Sequence, residues 1–220
     1  MKAAIRGAAV AAALVLGLTG CQEGGSPAAG GGLAPSFPGE TRQGSAPSQV
    51  VRLDPTALMH ALPVEESVSD VMVGGDPFMV QGTEAVQHCA EKTGATCAGL
   101  VAVAGKDMEV RGDSDGTRME FRLYSFETAE QAGTAMKSLA DTERKSSAEH
   151  KEASKPVTVA SGADKTDAFV DDATAKGVMR IGTVVAYLYT TETEPGALEH
   201  IAKVQVQRVR TVAEGKNPGF

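Results

Sequence analysis

Apolar residues recur along residues 53–215 with two different periods, and the changes of period mark the elements. Leu53-Asp54-Pro55 opens a short helix with Asp54 as N-cap and Pro55 at the first helical position, carrying Leu58, Met59 and Leu62 until Pro63 stops it. Thr83 begins a second helix, with Val86, Cys89 and Ala90 on one face and Gly94 as its terminator. Leu100 to Val110 reads as a strand, and Arg111 to Gly116 supplies the turn chemistry of a hairpin. The returning strand sets Met119, Phe121 and Leu123 against Arg118, Glu120 and Arg122, a period of two with one buried and one wet face. Thr128 to Gln131 then matches a capping box, and Ala132, Ala135, Met136, Leu139 and Ala140 follow at helical spacing.

Val157 to Val159 and Asp167 to Val170 read as two short strands on either side of the polar turn Ser161 to Asp164. Val178 to Ile181 and Val184 to Tyr189 form a further strand or pair, turned at Gly182. Both faces of the second segment are apolar, which predicts a central strand. Pro195 starts a last helix that turns Leu198, Ile201, Ala202, Val209 and Val212 to the core and ends at Gly215. The order α-α-β-β-α-β-β-β-β-α, with short turns between strands, predicts an α+β domain: a curved, mainly antiparallel sheet with helices packed on one face.

The first fifty residues are unlike the rest. Lys2 and Arg6 precede an apolar stretch, Ala8 to Leu18, that is shorter than the ~20 residues a spanning helix needs and is the size of a signal-peptide core. Leu18-Thr19-Gly20-Cys21 resembles the lipobox of bacterial lipoproteins. That resemblance implies cleavage before Cys21 and lipidation of its thiol, with acyl chains such as palmitate holding the protein to the membrane. Each buried CH₂ contributes roughly 0.8 kcal/mol, so two or three chains make a durable anchor. In residues 22–50 Gly, Pro and Ser supply about half the positions, a composition that cannot bury enough apolar surface to offset the entropy of ordering. The expected organisation is a signal peptide over 1–20, a lipidated Cys and flexible tether over 21–50, with a random-coil reach near ~30 Å, and one extracytoplasmic α+β domain over 51–220.

Composition narrows the function. Six Phe, three Tyr and no Trp are too few rings for serial base stacking, and a formal charge of −7 lacks the footprint of a nucleic-acid binder. Loss of residues 1–20 removes Lys2 and Arg6 and no acid, so the remainder carries −9. Such a domain is repelled by anionic head groups, leaving the lipid as its hold on the membrane. The expected partners are the membrane, through that lipid, and a small ligand or envelope protein; no cofactor and no nucleic acid are expected.

With Cys21 lipidated, Cys89 and Cys97 remain as one pair eight residues apart. In an exported chain they read as a disulfide, with a metal or redox role beside His88 as the other reading. Arg111-Gly112-Asp113 and Asp113-Ser114-Asp115-Gly116 echo an adhesion tripeptide and the start of a calcium loop, but Gly and Asp are what a hairpin turn wants. His60, His88, His150 and His200 form no metal-binding pair, and no nucleophile elbow, phosphate loop or dinucleotide fingerprint occurs, so no catalytic or metal site is expected. Glu149-His150, Glu199-His200 and the charged run from Arg144 to Glu152 read as solvated helix surface. Lys203, Arg208, Arg210 and Lys216 complement the dipole of the last helix, with an anionic envelope polymer as the alternative partner. One cluster remains: Arg122, Tyr124, Tyr187 and Tyr189 can share a sheet face, and rings with polar tips suit a ligand groove, although packing beneath a helix suits them too.

Phe126 with Thr128 to Ala132, the run Arg180 to Val185, and the closing helix Leu198 to Arg208 resemble the PknH-like extracellular sensor domains of bacterial receptor kinases and the envelope lipoproteins related to them. The resemblance implies an α+β fold with a strongly bent antiparallel sheet, disulfide-pinned helices and a cleft for an unidentified ligand. That family typically carries two disulfides, where this chain offers one pair. The function expected is that of a non-catalytic, sensor-like lipoprotein on the extracytoplasmic face of the cell membrane. An envelope hydrolase with a dispersed site, or a purely structural lipoprotein, is the alternative.

Overall fold

A computed structural model describes residues 50–219, apart from 70–71, 95–96, 113–115 and 150–152. The expected signal peptide, Cys21 and the tether lie outside the described residues, as do Asp113, Ser114, Asp115 and His150. Among the described residues five helices and eight strands follow one another as α1 (Pro55–His60), α2 (Glu65–Val68), β1 (Met72–Gly74), β2 (Phe78–Gln81), α3 (Gly82–Thr93), β3 (Leu100–Val110), β4 (Arg118–Phe126), α4 (Ala129–Glu149), β5 (Lys155–Pro156), β6 (Lys165–Val170), β7 (Ala175–Ile181), β8 (Val184–Thr190) and α5 (Pro195–Ala213).

Local chemistry explains the boundaries. The Asp54 carboxylate accepts the Ala57 amide at 2.8 Å and starts α1 with Pro55 behind it. Thr128 and Gln131 cap α4 reciprocally: the Gln131 amide donates to Thr128 Oγ1 at 3.2 Å, and the Thr128 amide donates to Gln131 Oε1 at 3.0 Å. Gly182, at φ +61°, makes the turn between β7 and β8. A side chain there would collide with the Val51 carbonyl, which itself accepts the Thr183 amide at 2.9 Å. Glycine is required on both counts.

All pairings are antiparallel, in the order β1-β3-β4-β8-β7-β6-β5, and β2 shares the outer edge of β3 with β1. The predicted class, an α+β domain on an antiparallel sheet, is what the chain adopts, and β8 is central as its two apolar faces required. The helices, however, are not on one face. Leu58, Val68, Leu198, Ile201 and Val209 of α1, α2 and α5 pack with Ala104, Phe121, Met179 and Leu188 on one side of the sheet. Ala85 and Cys89 of α3 and Met136, Leu139 and Ala140 of α4 pack with Val103, Tyr124, Val178 and Val185 on the other. Two apolar faces on the central strands need two roofs, which is why the one-face expectation fails. A bulge between Leu100 and Ala102 turns Leu100 to the same side as Val103. The strand expected at Val157–Val159 is instead the two-residue β5 just before it, held on β6 by register Lys155↔Val170.

Candidate functional site

Strand register decides which polar groups meet beneath α3 and α4. On this face Arg122 stands between Gly105 and Tyr187, Tyr124 between Val103 and Val185, and Glu120 between Asp107 and Tyr189. β7 adds Lys176 beside Tyr189 and Val178 beside Tyr187. All four residues singled out as a groove therefore share one sheet face. Their exposure is graded along β4. Arg118 is open to solvent, Glu120 and Arg122 are half-buried, and Tyr124 is only 2% exposed. The strand's expected wet face is thus wet at one end only, because α3 and α4 cover the other. Tyr124 and Tyr187 pack with the apolar residues of these helices, while Tyr189 lies at their margin.

The open end is a charge lattice. Arg122 Nη1 meets Asp107 Oδ1 at 2.7 Å, Arg122 Nη2 lies 3.6 Å from Glu120 Oε2, and Arg118 reaches Glu120 at 3.1 Å. The Arg122 guanidinium lies 5.2 Å from the centre of the Phe78 ring, which packs 5.6 Å from His88. Gly105 makes this possible, since a Cβ there would press on both Phe78 and Arg122. Burial, and then the nearby positive charge of Arg122, lowers the pKa of His88 from its ordinary value. The same face holds an acid and a base that the sequence reading passed over. Lys176 Nζ lies 3.2 Å from Glu143 Oε2 with both side chains mostly buried, and the Tyr187 hydroxyl hydrogen-bonds to Glu143. Burial, followed by the charges of Glu143 and Glu120, holds the Tyr187 hydroxyl far above its usual range. Burial does the same to Tyr124. Neither phenol ionises near neutral pH, so neither acts here as an acid or a base.

Beyond Lys176 the network continues. Ser147 Oγ donates to Asp171 Oδ2 at 3.0 Å, and Asp171 Oδ1 accepts the Thr174 amide at 2.7 Å and the Thr174 hydroxyl at 2.8 Å. Arg144 pairs with Asp167 and stacks 4.6 Å from the centre of the Phe169 ring. Part of the run expected to be solvated helix surface thus faces the sheet. The missed signal was periodic: the buried stripe Met136, Leu139, Ala140 continues at the same spacing through Glu143 and Ser147.

Cys89 and Cys97 are joined by a disulfide that ties the end of α3 to the approach of β3, as expected, with Cys97 at φ 47°. Arg111 and Gly112 form the hairpin turn after β3. Of the four late cations, Lys203 pairs with Glu199 and Lys216 with Glu214, and Arg210 donates to the Gly162 carbonyl at 2.6 Å. Arg208 departs from the expectation of a helix-end surface charge: it is buried among backbone carbonyls.

The assembled features define an antiparallel α+β domain with an internal polar face under α3, which a disulfide anchors, and α4. Its fold is similar to that of the extracellular domain of PknH from Mycobacterium tuberculosis, with a TM-score of 0.53 and 16% sequence identity over 73% of this chain and 98% of that one. No protein-family model and no curated protein sequence matches the chain.

Proposed function

We propose that this protein is a lipid-anchored, extracytoplasmic lipoprotein whose α+β domain is a non-catalytic, sensor-like binding module. The observation that carries the reading is the likeness of fold to the extracellular domain of PknH, and the resemblance of Phe126, Thr128–Ala132, Arg180–Val185 and Leu198–Arg208 to sensor domains of that kind supports it. The basic and apolar residues before Leu18-Thr19-Gly20-Cys21 support export and lipidation, and the Gly/Pro/Ser-rich residues after it support a tether. No described helix is long and apolar enough to cross a membrane.

The binding face in this proposal is the rim where Arg122, Tyr189, Glu120 and Arg118 meet solvent, with Tyr124 and Tyr187 beneath it as a rigid floor. The chemistry available there is a guanidinium fork, a phenol hydroxyl and two carboxylates around an apolar ring, suited to a polar ligand or a charged loop of an envelope protein. A photo-crosslinking amino acid at position 189 in living cells tests it. The reading predicts one discrete adduct, lost with Arg118→Glu. No adduct, or adducts indifferent to that substitution, contradicts it.

A further inference from the structure

On the opposite side of the sheet, α1, the segment that follows it, the C-terminal part of α5 and residues 215–219 line an open pocket of about 600 Å³. That size falls within the ~300–1,000 Å³ of small-molecule sites. Ala57, Met59, Pro63 and Val212 give it apolar walls, and one wall carries the guanidinium of Arg208. Arg208 is 7% exposed. Its Nε donates to the Leu62 carbonyl at 2.8 Å, Nη1 to Gly219 at 3.0 Å and Nη2 to His60 at 3.2 Å. All three acceptors are neutral. A guanidinium has five N–H donors, so two have no acceptor among the described residues, and no described carboxylate pairs with it. The two lysines at the cavity are already matched, Lys106 with Glu65 at 2.9 Å and Lys216 with Glu214 at 2.7 Å, and the His60 ring and the Asp54 carboxylate, which accepts the Ala57 amide, complete its titratable lining.

A charge taken out of water without a counter-charge is costly, and carbonyl dipoles offset only part of that cost. In a chain of net −7, a buried cation with no counter-charge among the described residues, beside an apolar hollow, is out of keeping with its surroundings. A ligand anion would supply both the missing charge and the two missing acceptors, and a carboxylate or phosphate matches the fork geometry. We propose that this cavity binds an amphipathic anion, its acidic head on Arg208 and its apolar tail along Ala57, Met59 and Val212. The site lies across the sheet from the Arg122–Tyr189 rim and does not depend on that rim or on the lipid anchor.

Titration of the purified full chain with sodium decanoate, decyl phosphate, decanol and decyltrimethylammonium, each below its micelle concentration, tests the proposal by calorimetry. The expected result is one site per chain that takes the anions at least tenfold more tightly than decanol and excludes the cation. The ratio of decanoate to decyl phosphate identifies the head group. Arg208→Gln should bring the anions down to the affinity of decanol. Should that variant fail to fold, Ala57→Phe, which fills the hollow from α1 and leaves the Arg208 hydrogen bonds in place, should abolish uptake of every ligand. Equal affinity for decanol and the anions, or anion uptake unchanged in Ala57→Phe, overturns the proposal.

Discussion

The ion pair between Lys176 and Glu143 offers the sharpest stability experiment, because the two side chains are only 11% and 16% exposed and sit 3.2 Å apart. At an effective dielectric near 20 their Coulomb attraction is about 5 kcal/mol, and desolvation of the two ions removes most of it. The pair therefore contributes little net stability, but either ion left alone does not. Glu143→Gln strands the Lys176 ammonium between α4 and β7. The cost of breaking a buried pair is ~3–5 kcal/mol, and the residual exposure favours the lower end, about 3 kcal/mol. In a domain of this size that lowers Tm by roughly 6–12 °C. In a Tyr187→Phe background, replacing both partners with apolar residues, Glu143→Leu with Lys176→Met, should return stability to within about 1 kcal/mol of that background, since neither a charge nor the Tyr187 hydroxyl is then stranded. Urea unfolding of residues 22–220, with the m-value compared across the set, gives the double-mutant cycle. If Glu143→Gln costs under about 0.5 kcal/mol, the pair behaves as a screened surface contact, and the account of a water-poor polar face beneath α4 is wrong.

Two further outcomes follow from named contacts. The loop closed by the Cys89–Cys97 disulfide is short, so Cys89→Ser should cost about 2.5 kcal/mol, and a thiol count on the oxidised parent, leaving Cys21 aside, should give zero. Burial works against the charge of Asp171, but the hydrogen bonds from Thr174, Ser147 and the Ala173 amide outweigh it and hold the carboxyl below its usual value. A depressed carboxyl stabilises the fold above its unfolded pKa and loses that contribution as pH falls through the folded value. Asp171→Asn should therefore flatten the loss of stability below about pH 4, measured as Tm against pH; an unchanged acid limb would contradict the assignment.

Much of the fold was legible because local signals and tertiary packing agree. The alternation of Met119, Phe121 and Leu123, the capping box at Thr128 and the proline start of α5 each specify their element without help from elsewhere. The short pieces were not legible. α2, β1 and β2 have four residues or fewer, too few for a period to show; β1 and β2 exist because the free edge of β3 accepts them, and α2 packs against β1 and α5. The second roof over the sheet was readable in principle from the two apolar faces of β8, whose full coverage demands helices on both sides.

The candidate rim was half legible. Arg122, Tyr124, Tyr187 and Tyr189 do share one face, because register follows from the β3–β4 and β7–β8 hairpins and the β4–β8 pairing. How deep each lies depends on where α3 and α4 cross the sheet, and no spacing within a strand encodes that. Arg208 was read as a helix-end charge for the same reason. Its burial comes from residues 215–219, close in sequence, and from α1 and Leu62, more than a hundred residues away, folding over it.

The account's central claim is the lipid anchor with the domain beyond it, and intact mass spectrometry of the protein extracted from membranes tests it most directly. The predicted result is a chain that begins at Cys21 and carries a diacylglyceryl group and acyl chains, with incorporation of an alkyne-labelled palmitate that is lost in Cys21→Ala. An unmodified chain that begins at another residue, or palmitate label that persists in Cys21→Ala, would contradict it.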